Sequence, residues 1–346
     1  MESQRSLAGW IHAGDPSEVI LGPSTTQLLH NLSHSMVRIF QPGDEVIVTD
    51  CDHEANIGPW RKMERYGIRI KEWKINKGSL RLELADLEQL LTEKTRLVAY
   101  THTSNILGTI NPVREIADLA HSGGAWVCID GVAYAPHRLV DVKQTGADFY
   151  AFSFYKVYGP HYSLLFGKRS IVEQLPGINH YFIGPEEIPY KLQPGNVNFE
   201  LCHSLPGVIE YLEEVYKHHF GDETGELRSR MKKVFGLFAD HEEALASRLM
   251  DFLNSSKGIR IIGETTSSSD IRVPTVSFVS GRMKSSEIPV QVDKHRIGIR
   301  FGDFYARRLI EHLGLSEKDG VVRISMVHYN TAEEVDRLIT ALEKIL

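Results

Sequence analysis

The sequence predicts an α/β fold in which a large domain, with a mostly parallel sheet flanked by helices, precedes a smaller α+β C-terminal domain. Over the first two-thirds of the chain, short apolar runs alternate with helical patterns, which is typical of a parallel sheet covered on both faces. The last third changes to long helical patterns and separated strand-like runs. Because 346 residues are more than one ordinary core holds, we expect two domains, residues 1–206 and 207–346.

The apolar runs predict the strands of the large domain. They read EVIVTD, IRIKEWKI, RLVAYTHT, AWVCID and DFYAFSF. Three helical patterns lie between them: NIGPWRKMERYG, LADLEQLL and PVREIADLAHSGG. Pro112 suits the start of the third helix, and Gly123 suits the position after its end.

The second domain is predicted to mix helices and strands. Helical patterns cover residues 205–216 and 227–253, and the first of them is expected to link the two domains. The runs VPTVSFVS, IGIRFG and VVRISM predict strands, TTSSSD predicts a loop, and a last helix is expected over residues 332–346.

Composition excludes several classes of partner. The formal net charge is −6 and no basic block is present, so neither nucleic acid nor an anionic membrane surface is expected to bind. No apolar run reaches the roughly 18 residues that a membrane span needs.

The three cysteines form no CxxC pair, which favours a reducing compartment, and we expect a cytoplasmic protein. No histidine or cysteine spacing indicates a metal site.

Two charged residues stand at the ends of predicted strands. Asp130 ends AWVCID, and Lys156 follows DFYAFSF. Ligands of open α/β sheets bind at the carboxyl edge of the strands. A pyridoxal phosphate (PLP) site needs a lysine for the cofactor aldehyde and a carboxylate for the pyridine nitrogen, and this pair fits both needs. The plainer alternatives are a surface lysine and an aspartate that caps a turn before Gly131.

Two further segments carry polar groups suited to a cofactor. Thr25 and Thr26 follow the turn Gly22-Pro23-Ser24 and open an amphipathic helix, whose free N–H groups could bind a phosphate. An ordinary Ser/Thr helix cap is the commoner meaning of such a pattern. His53 follows the strand EVIVTD and could stack on a pyridine ring, although a surface loop histidine would look the same.

Seven segments, in order along almost the whole chain, resemble the class V aminotransferase family and its cysteine-desulfurase-like proteins. They are GPSTTQ, DHEANIGPW, THTSNILGTINPV, CIDGVAYAPH, FSFYKVYGPH, LQPGNVNFE and VVRISMVHYNTAEEVDRL. The most specific are SNILGTINP and the DG…FSxxKxYGP pair. The resemblance implies PLP-dependent transferase fold type I, PLP as the cofactor, and a homodimer with the active site near the subunit interface.

The resemblance also implies a role for individual residues. Lys156 would hold the cofactor as a Schiff base, Asp130 would pair with the pyridine nitrogen, and His53 would stack on the ring. Asn105 would contact the phenolic oxygen, and Arg323 would bind the substrate carboxylate. The phosphate would be held by Thr25, Thr26 and Ser153, with Tyr155 able to add its hydroxyl.

The chain departs from the family pattern in three respects. The resemblance places Tyr305 where desulfurases carry their nucleophilic cysteine, so the usual desulfurase chemistry is not expected. Tyr155, Ala133 and Asn196 replace the usual histidine, polar residue and threonine around the cofactor. The pattern also begins later than in most members, which predicts a truncated N-terminal segment and weakened catalysis, because a closed pocket matters for control of the reaction.

Three functions therefore stay open from the sequence. The main hypothesis is a PLP-dependent transferase or lyase that acts on an amino acid by transamination or by α,β-elimination at a sulfur-containing side chain. The second is a cysteine desulfurase that uses a non-standard cysteine, with Cys51 as the candidate because it lies two residues before His53. The third is a truncated, noncatalytic protein of the same fold.

Overall fold

A computed structural model describes residues 2–221 and 225–346 of the chain. Its strands are β1 Val19–Gly22, β2 Glu45–Thr49, β3 Arg69–Trp73, β4 Thr95–Thr101, β5 Trp126–Asp130, β6 Phe149–Ser153, β7 Ser163–Gly167, β8 Ile259–Ile261, β9 Thr275–Ser280, β10 Arg300–Gly302 and β11 Val321–Ser325. Its α-helices are α1 Glu2–Ile11, α2 Thr25–Met36, α3 Gly58–Arg61, α4 Leu84–Leu90, α5 Val113–Ser122, α6 Val142–Thr145, α7 Arg169–Val172, α8 Phe199–Ser204, α9 Pro206–Phe220, α10 Leu227–Ser255, α11 Glu287–Val292, α12 Arg307–His312 and α13 Ala332–Glu343.

Within these residues the first seven strands form one sheet in the order β1-β7-β6-β5-β4-β2-β3. Five of them, β2 to β6, run parallel. Strand β7 is antiparallel to both β6 and β1, so β1 points the same way as β6. Six carboxyl ends therefore meet at one edge of the sheet, and the prediction of a mostly parallel sheet flanked by helices is confirmed.

The sequence patterns located the five parallel strands but not the other two. Strands β1 and β7 were not predicted, because their apolar runs are short and lie close to Gly22 and Gly167. The predicted helix NIGPWRKMERYG was wrong as a single element, since α3 lies between two 3₁₀ turns at Glu54–Asn56 and Lys62–Tyr66. Pro59 has no N–H to donate, so it suits the first turn of α3 and disfavours one continuous helix running in from the preceding 3₁₀ turn.

The remaining four strands form an antiparallel sheet in the order β10-β11-β9-β8. The long helix α10 joins the two halves of the molecule. Its Phe235 and Phe238 pack into the core that surrounds the large sheet, whereas Leu245 and Leu249 pack with Phe278 in the core of the small sheet. One helix thus contributes to both cores, and the boundary between residues 1–206 and 207–346 stays a prediction.

No helix in the described stretches is both long enough and apolar enough to cross a membrane.

Gly131, which follows β5 directly, leaves room for a buried aromatic ring. A Cβ atom at this position would overlap ring atoms of Tyr150, and Tyr150 is fully buried with its hydroxyl 2.8 Å from Nδ1 of His102. We expect Gly131→Ala to lower the free energy of unfolding by about 1–3 kcal/mol, because the ring has no room to move. Urea denaturation followed by circular dichroism measures the change.

Gly9 provides the matched control for this prediction. It lies on the exposed face of α1 with no atom within 4 Å of an added Cβ, so Gly9→Ala should leave stability equal or slightly higher. Equal stability of the Gly131→Ala variant and the wild type would show that Tyr150 adjusts freely.

Candidate functional site

A cavity of about 250 Å³ opens at the carboxyl edge of the large sheet. Polar groups gather at this edge because the parallel strands end here. The side chains at the end of a strand no longer face a core. The cavity is lined by Ser24, Thr25, Thr26, His53, Ala55, Thr101, Thr103, Asn105, Asp130, Val132, Ala133, Ser153, Tyr155, Lys156 and His161. All eight residues that the sequence predicted as cofactor-binding are brought together here.

Lys156 and Asp130 come from neighbouring strands. Asp130 is the last residue of β5 and pairs with Ala151 of β6, and Lys156 ends the 3₁₀ turn that follows β6. The lysine is open to the cavity, yet surrounding protein and the positive charge of Arg323 lower its pKa, against the opposing effect of Asp130. A lowered pKa makes the neutral amine, which is the nucleophilic and basic form, more available.

The Asp130 carboxyl is buried at the base of the cavity. Its Oδ1 accepts a hydrogen bond of 2.8 Å from the backbone N–H of Val132. Burial raises the pKa of Asp130 to about 6, although the Val132 N–H and the charge of Lys156 act in the opposite direction. At neutral pH the carboxylate therefore predominates, and it can pair with a protonated ring nitrogen.

Three hydroxyl groups lie together at the edge where β1 and β6 end and β7 begins. Oγ of Ser153 lies 2.7 Å from Oγ1 of Thr25 and 2.7 Å from Oγ of Ser163. Thr25 and Thr26 also begin α2, whose first-turn N–H groups have no partner inside the helix. Hydroxyls and free amides at a helix start can bind a phosphate. Thr25 reaches Ser153 because α2 begins just after β1, and β1 ends at the same edge of the sheet as β6.

His53 stands beside the cavity as a neutral imidazole. Its Nδ1 accepts a hydrogen bond of 3.0 Å from the backbone N–H of Ala55. Burial, assisted by the charge of Lys156, lowers its pKa to about 4. One side of the ring packs against Tyr305, with the two ring centroids 5.2 Å apart.

Two buried polar atoms on the cavity wall lack a protein partner. Oδ1 of Asn105 and Oγ1 of Thr103 make no hydrogen bond within the described residues. Buried polar atoms are nearly always hydrogen-bonded, so these two atoms are free to form a hydrogen bond with a polar ligand. Together with the hydroxyls of Thr25 and Ser153 and the Asp130 carboxylate, they fit PLP, whose ring and phosphate carry the matching polar groups.

Arg323 lines a neighbouring cavity rather than the first. This second cavity, of about 400 Å³, shares Asn105, Val132, Ala133 and Lys156 with the first one. Nη1 of Arg323 donates a hydrogen bond of 3.0 Å to the Asn105 carbonyl, and the Phe304 ring covers the guanidinium at 3.8 Å. Burial lowers the pKa of Arg323 to about 10, which still leaves it charged at neutral pH.

The cysteines lie outside both cavities. Cys51 and Cys128 are buried, and burial raises the pKa of each thiol well above its ordinary value. Cys202 is partly buried on α8. Tyr305 is 72% exposed beside His53. No cluster of three or more metal-ligating side chains occurs within residues 2–221 and 225–346.

Sequence reasoning missed Thr101, Thr103 and His161 as cavity residues. The first two were within reach, because they lie at the end of the predicted strand RLVAYTHT just as Asp130 ends AWVCID. His161 gave no signal, since its place depends on the turn between β6 and β7. Its ring lies 4.7 Å from that of Tyr155 at the cavity mouth.

Comparison with known proteins agrees with this geometry. A family model described as aminotransferase class V matches residues 1–338. The chain is 44% identical to the aminotransferase-like protein FGM3 of Gibberella zeae, over 99% of this chain and 82% of that protein. It is 34% identical to the cysteine desulfurase-like protein ustD of Aspergillus flavus, over 96% of this chain and 74% of that protein.

A solved structure shows the same fold. The cysteine desulfurase CsdA of Escherichia coli, in its S-sulfonic acid form, superposes with a TM-score of 0.84 at 25% identity, over 99% of this chain and 82% of that chain. This likeness confirms the predicted PLP-dependent transferase fold type I.

Proposed function

Because the chain belongs to the aminotransferase class V family, whose members are PLP-dependent enzymes, we propose that it acts at the α-carbon of an amino acid, by transamination or by α,β-elimination. The observation that carries the proposal is the convergence of Lys156, Asp130 and His53 in one cavity, with Arg323 on the wall of the next. PLP, when bound, draws electrons away from the substrate α-carbon.

The residues of the chain divide the remaining tasks. The Lys156 amine holds the cofactor and then moves the proton at the substrate α-carbon, for which its lowered pKa suits it. The Asp130 carboxylate would pair with the ring nitrogen of the cofactor and would favour its protonated form. The neutral imidazole of His53 would lie beside the ring and would exclude water from it.

Arg323 gives the site its preference for amino acids. Its guanidinium can hold a carboxylate through two parallel N–H groups. The second cavity that it lines opens towards Lys156, so a carboxylate bound there places the rest of the substrate beside the amine. This arrangement serves transamination and elimination equally.

A desulfurase that uses Cys51 is disfavoured by the position of this residue. Its sulfur lies in the apolar core, and burial together with the negative charges of Asp52 and Asp50 raises the pKa of the thiol. A nucleophilic cysteine needs a lowered pKa and access to the substrate. Cys51→Ser should therefore leave activity unchanged.

The products separate the two proposed reactions. PLP-loaded protein is incubated with L-cysteine or L-alanine, with and without a keto-acid acceptor. Pyruvate and ammonia from L-cysteine without an acceptor indicate elimination, whereas turnover that requires the acceptor indicates transamination. Absence of both products and of any cofactor binding would contradict the proposal and favour the noncatalytic alternative.

We also propose a homodimer, on the basis of an exposed aromatic segment beside the cavity. Tyr181 is 100% and Phe182 is 66% exposed, and exposed apolar patches mark interaction sites. The segment is anchored to the end of β1, because Asn179 donates to the Gln193 carbonyl and Gln193 donates to the Leu21 carbonyl. A second copy is the partner that the family resemblance implies.

A double substitution tests the dimer. Tyr181→Ser with Phe182→Ser should shift the protein from dimer to monomer in light scattering coupled to gel filtration, because it removes the largest exposed apolar groups of the segment. Tyr66→Ser is the control, since Tyr66 is 51% exposed but lies before β3, at the opposite edge of the sheet. A wild-type protein that is monomeric at all concentrations would contradict the proposal.

A further inference from the structure

The turn between β10 and α12 covers two of the residues assigned to ligand binding. The Phe304 ring centroid lies 3.8 Å from the guanidinium carbon of Arg323. The Phe304 carbonyl accepts a hydrogen bond of 2.8 Å from Nδ2 of Asn105. Asn105 in turn accepts from Nη1 of Arg323 through its own carbonyl. These three residues form a closed set of contacts between the two halves of the molecule.

The backbone of this turn adopts an unusual conformation. Phe304 has φ +49° and Tyr305 has φ +63°, and consecutive aromatic residues with positive φ are uncommon. Further hydrogen bonds hold the turn: Tyr305 N–H donates to Asp303 Oδ1 over 3.0 Å, Ala306 N–H donates to the Asp303 carbonyl over 2.8 Å, and Glu54 N–H donates to the Tyr305 carbonyl over 2.8 Å. Strained backbone persists where its surroundings determine it and often marks a functional site. The backbone conformation and the hydrogen bonds of the turn therefore fix the position of the Phe304 ring.

The stack leaves the edge of the guanidinium available. Phe304 occupies one face of Arg323, whereas a carboxylate binds in the guanidinium plane through parallel N–H groups. Among the described residues, only Nη1 of Arg323 donates to a protein acceptor. The remaining N–H groups can bind a ligand in the second cavity. An aromatic ring on the face fixes the plane in which they point.

We propose that Phe304 is a positioning residue, which orients Arg323 for the α-carboxylate of the substrate through its ring. The inference rests on the proposed function, because it assumes that Arg323 binds this carboxylate. Phe304 itself touches neither the reacting atoms nor the cofactor-binding hydroxyls. Its loss should weaken recognition of the carboxylate and leave the capture of PLP intact.

Substitution by glycine removes the ring without opposing the backbone, because glycine adopts positive φ readily. PLP-loaded wild type and Phe304→Gly are titrated with L-alanine and with ethylamine, which lacks the carboxylate, and binding is followed by the change in cofactor absorbance. We expect Phe304→Gly to weaken L-alanine binding about tenfold and to leave ethylamine binding unchanged. Phe304→Tyr, which keeps the ring, should bind L-alanine as the wild type does.

Two further variants separate the possible failures. Phe301→Ala, on the exposed side of β10, controls for loss of an aromatic ring nearby and should change neither affinity. Arg323→Lys should weaken L-alanine binding and spare ethylamine. If Arg323→Lys does not weaken L-alanine binding more than ethylamine binding, Arg323 does not bind the substrate carboxylate, and this part of the proposed function is wrong.

If Arg323→Lys does act selectively but Phe304→Gly does not, the role of Phe304 is overturned. Equal weakening of both ligands by Phe304→Gly would also overturn it, since that result indicates only a structural role.

Discussion

Lys156→Ala is expected to abolish the cofactor absorbance band that PLP produces on binding and to lower turnover by about 10⁴-fold, at the upper end of what a general base contributes. The amine is the group in the first cavity that can both hold an aldehyde and remove a proton. Its lowered pKa supports both tasks, because both need the uncharged form. The measurement is an absorbance spectrum of purified protein with added PLP, before and after treatment with borohydride.

Lys143→Ala provides the control for this substitution. Lys143 is exposed on α6, away from the carboxyl edge, and its loss should leave the band and the turnover unchanged. A band that survives in Lys156→Ala and is still fixed by borohydride would show that a different amine holds the cofactor.

Asp130→Asn is expected to preserve PLP binding but to reduce turnover by about 10²–10³-fold, the range seen when one electrostatic partner of a reacting group is lost. Asparagine is isosteric with aspartate, and its Oδ1 can still accept the Val132 N–H, so the fold should be kept. It has no negative charge to keep a ring nitrogen protonated. Steady-state rates with the substrate found in the product assay measure the effect.

Asp118→Asn is the control for Asp130→Asn, because it makes the same change outside the site. Asp118 is exposed on α5, where it pairs with Arg114, and a surface pair of this kind contributes little. Unaltered turnover in Asp130→Asn, with intact cofactor binding, would mean that the Asp130 carboxylate does not serve the ring nitrogen.

Much of the first cavity could be predicted because its residues follow local rules. Asp130 and Lys156 end or follow strands whose apolar runs are visible in the sequence, and parallel strands bring their carboxyl ends to one edge. Thr25 was recognisable as the start of a helix from the turn before it. Each of these inferences needed only a few neighbouring residues.

The family resemblance added Arg323 and Asn105, but their relation to each other was not visible in the sequence. Asn105 lies in the turn that follows β4 of the large sheet, whereas Arg323 lies in β11 of the small sheet, and 218 residues separate them along the chain. Their contact depends on how α10 and the two cores pack. Neither hydrophobic periodicity nor residue spacing predicts how two segments so far apart in sequence pack together.

The sequence by itself determined the fold class, the parallel strands and some of the polar residues at their ends, such as Asp130 and Lys156. Apolar periodicity and turn residues encode these features locally. Only the tertiary structure decided that β1 and β7 complete the sheet, that Ser153 meets Thr25, and that Phe304 stacks on Arg323. Such contacts join segments far apart in sequence, and their geometry is set by the packing of whole elements rather than by the residues beside them.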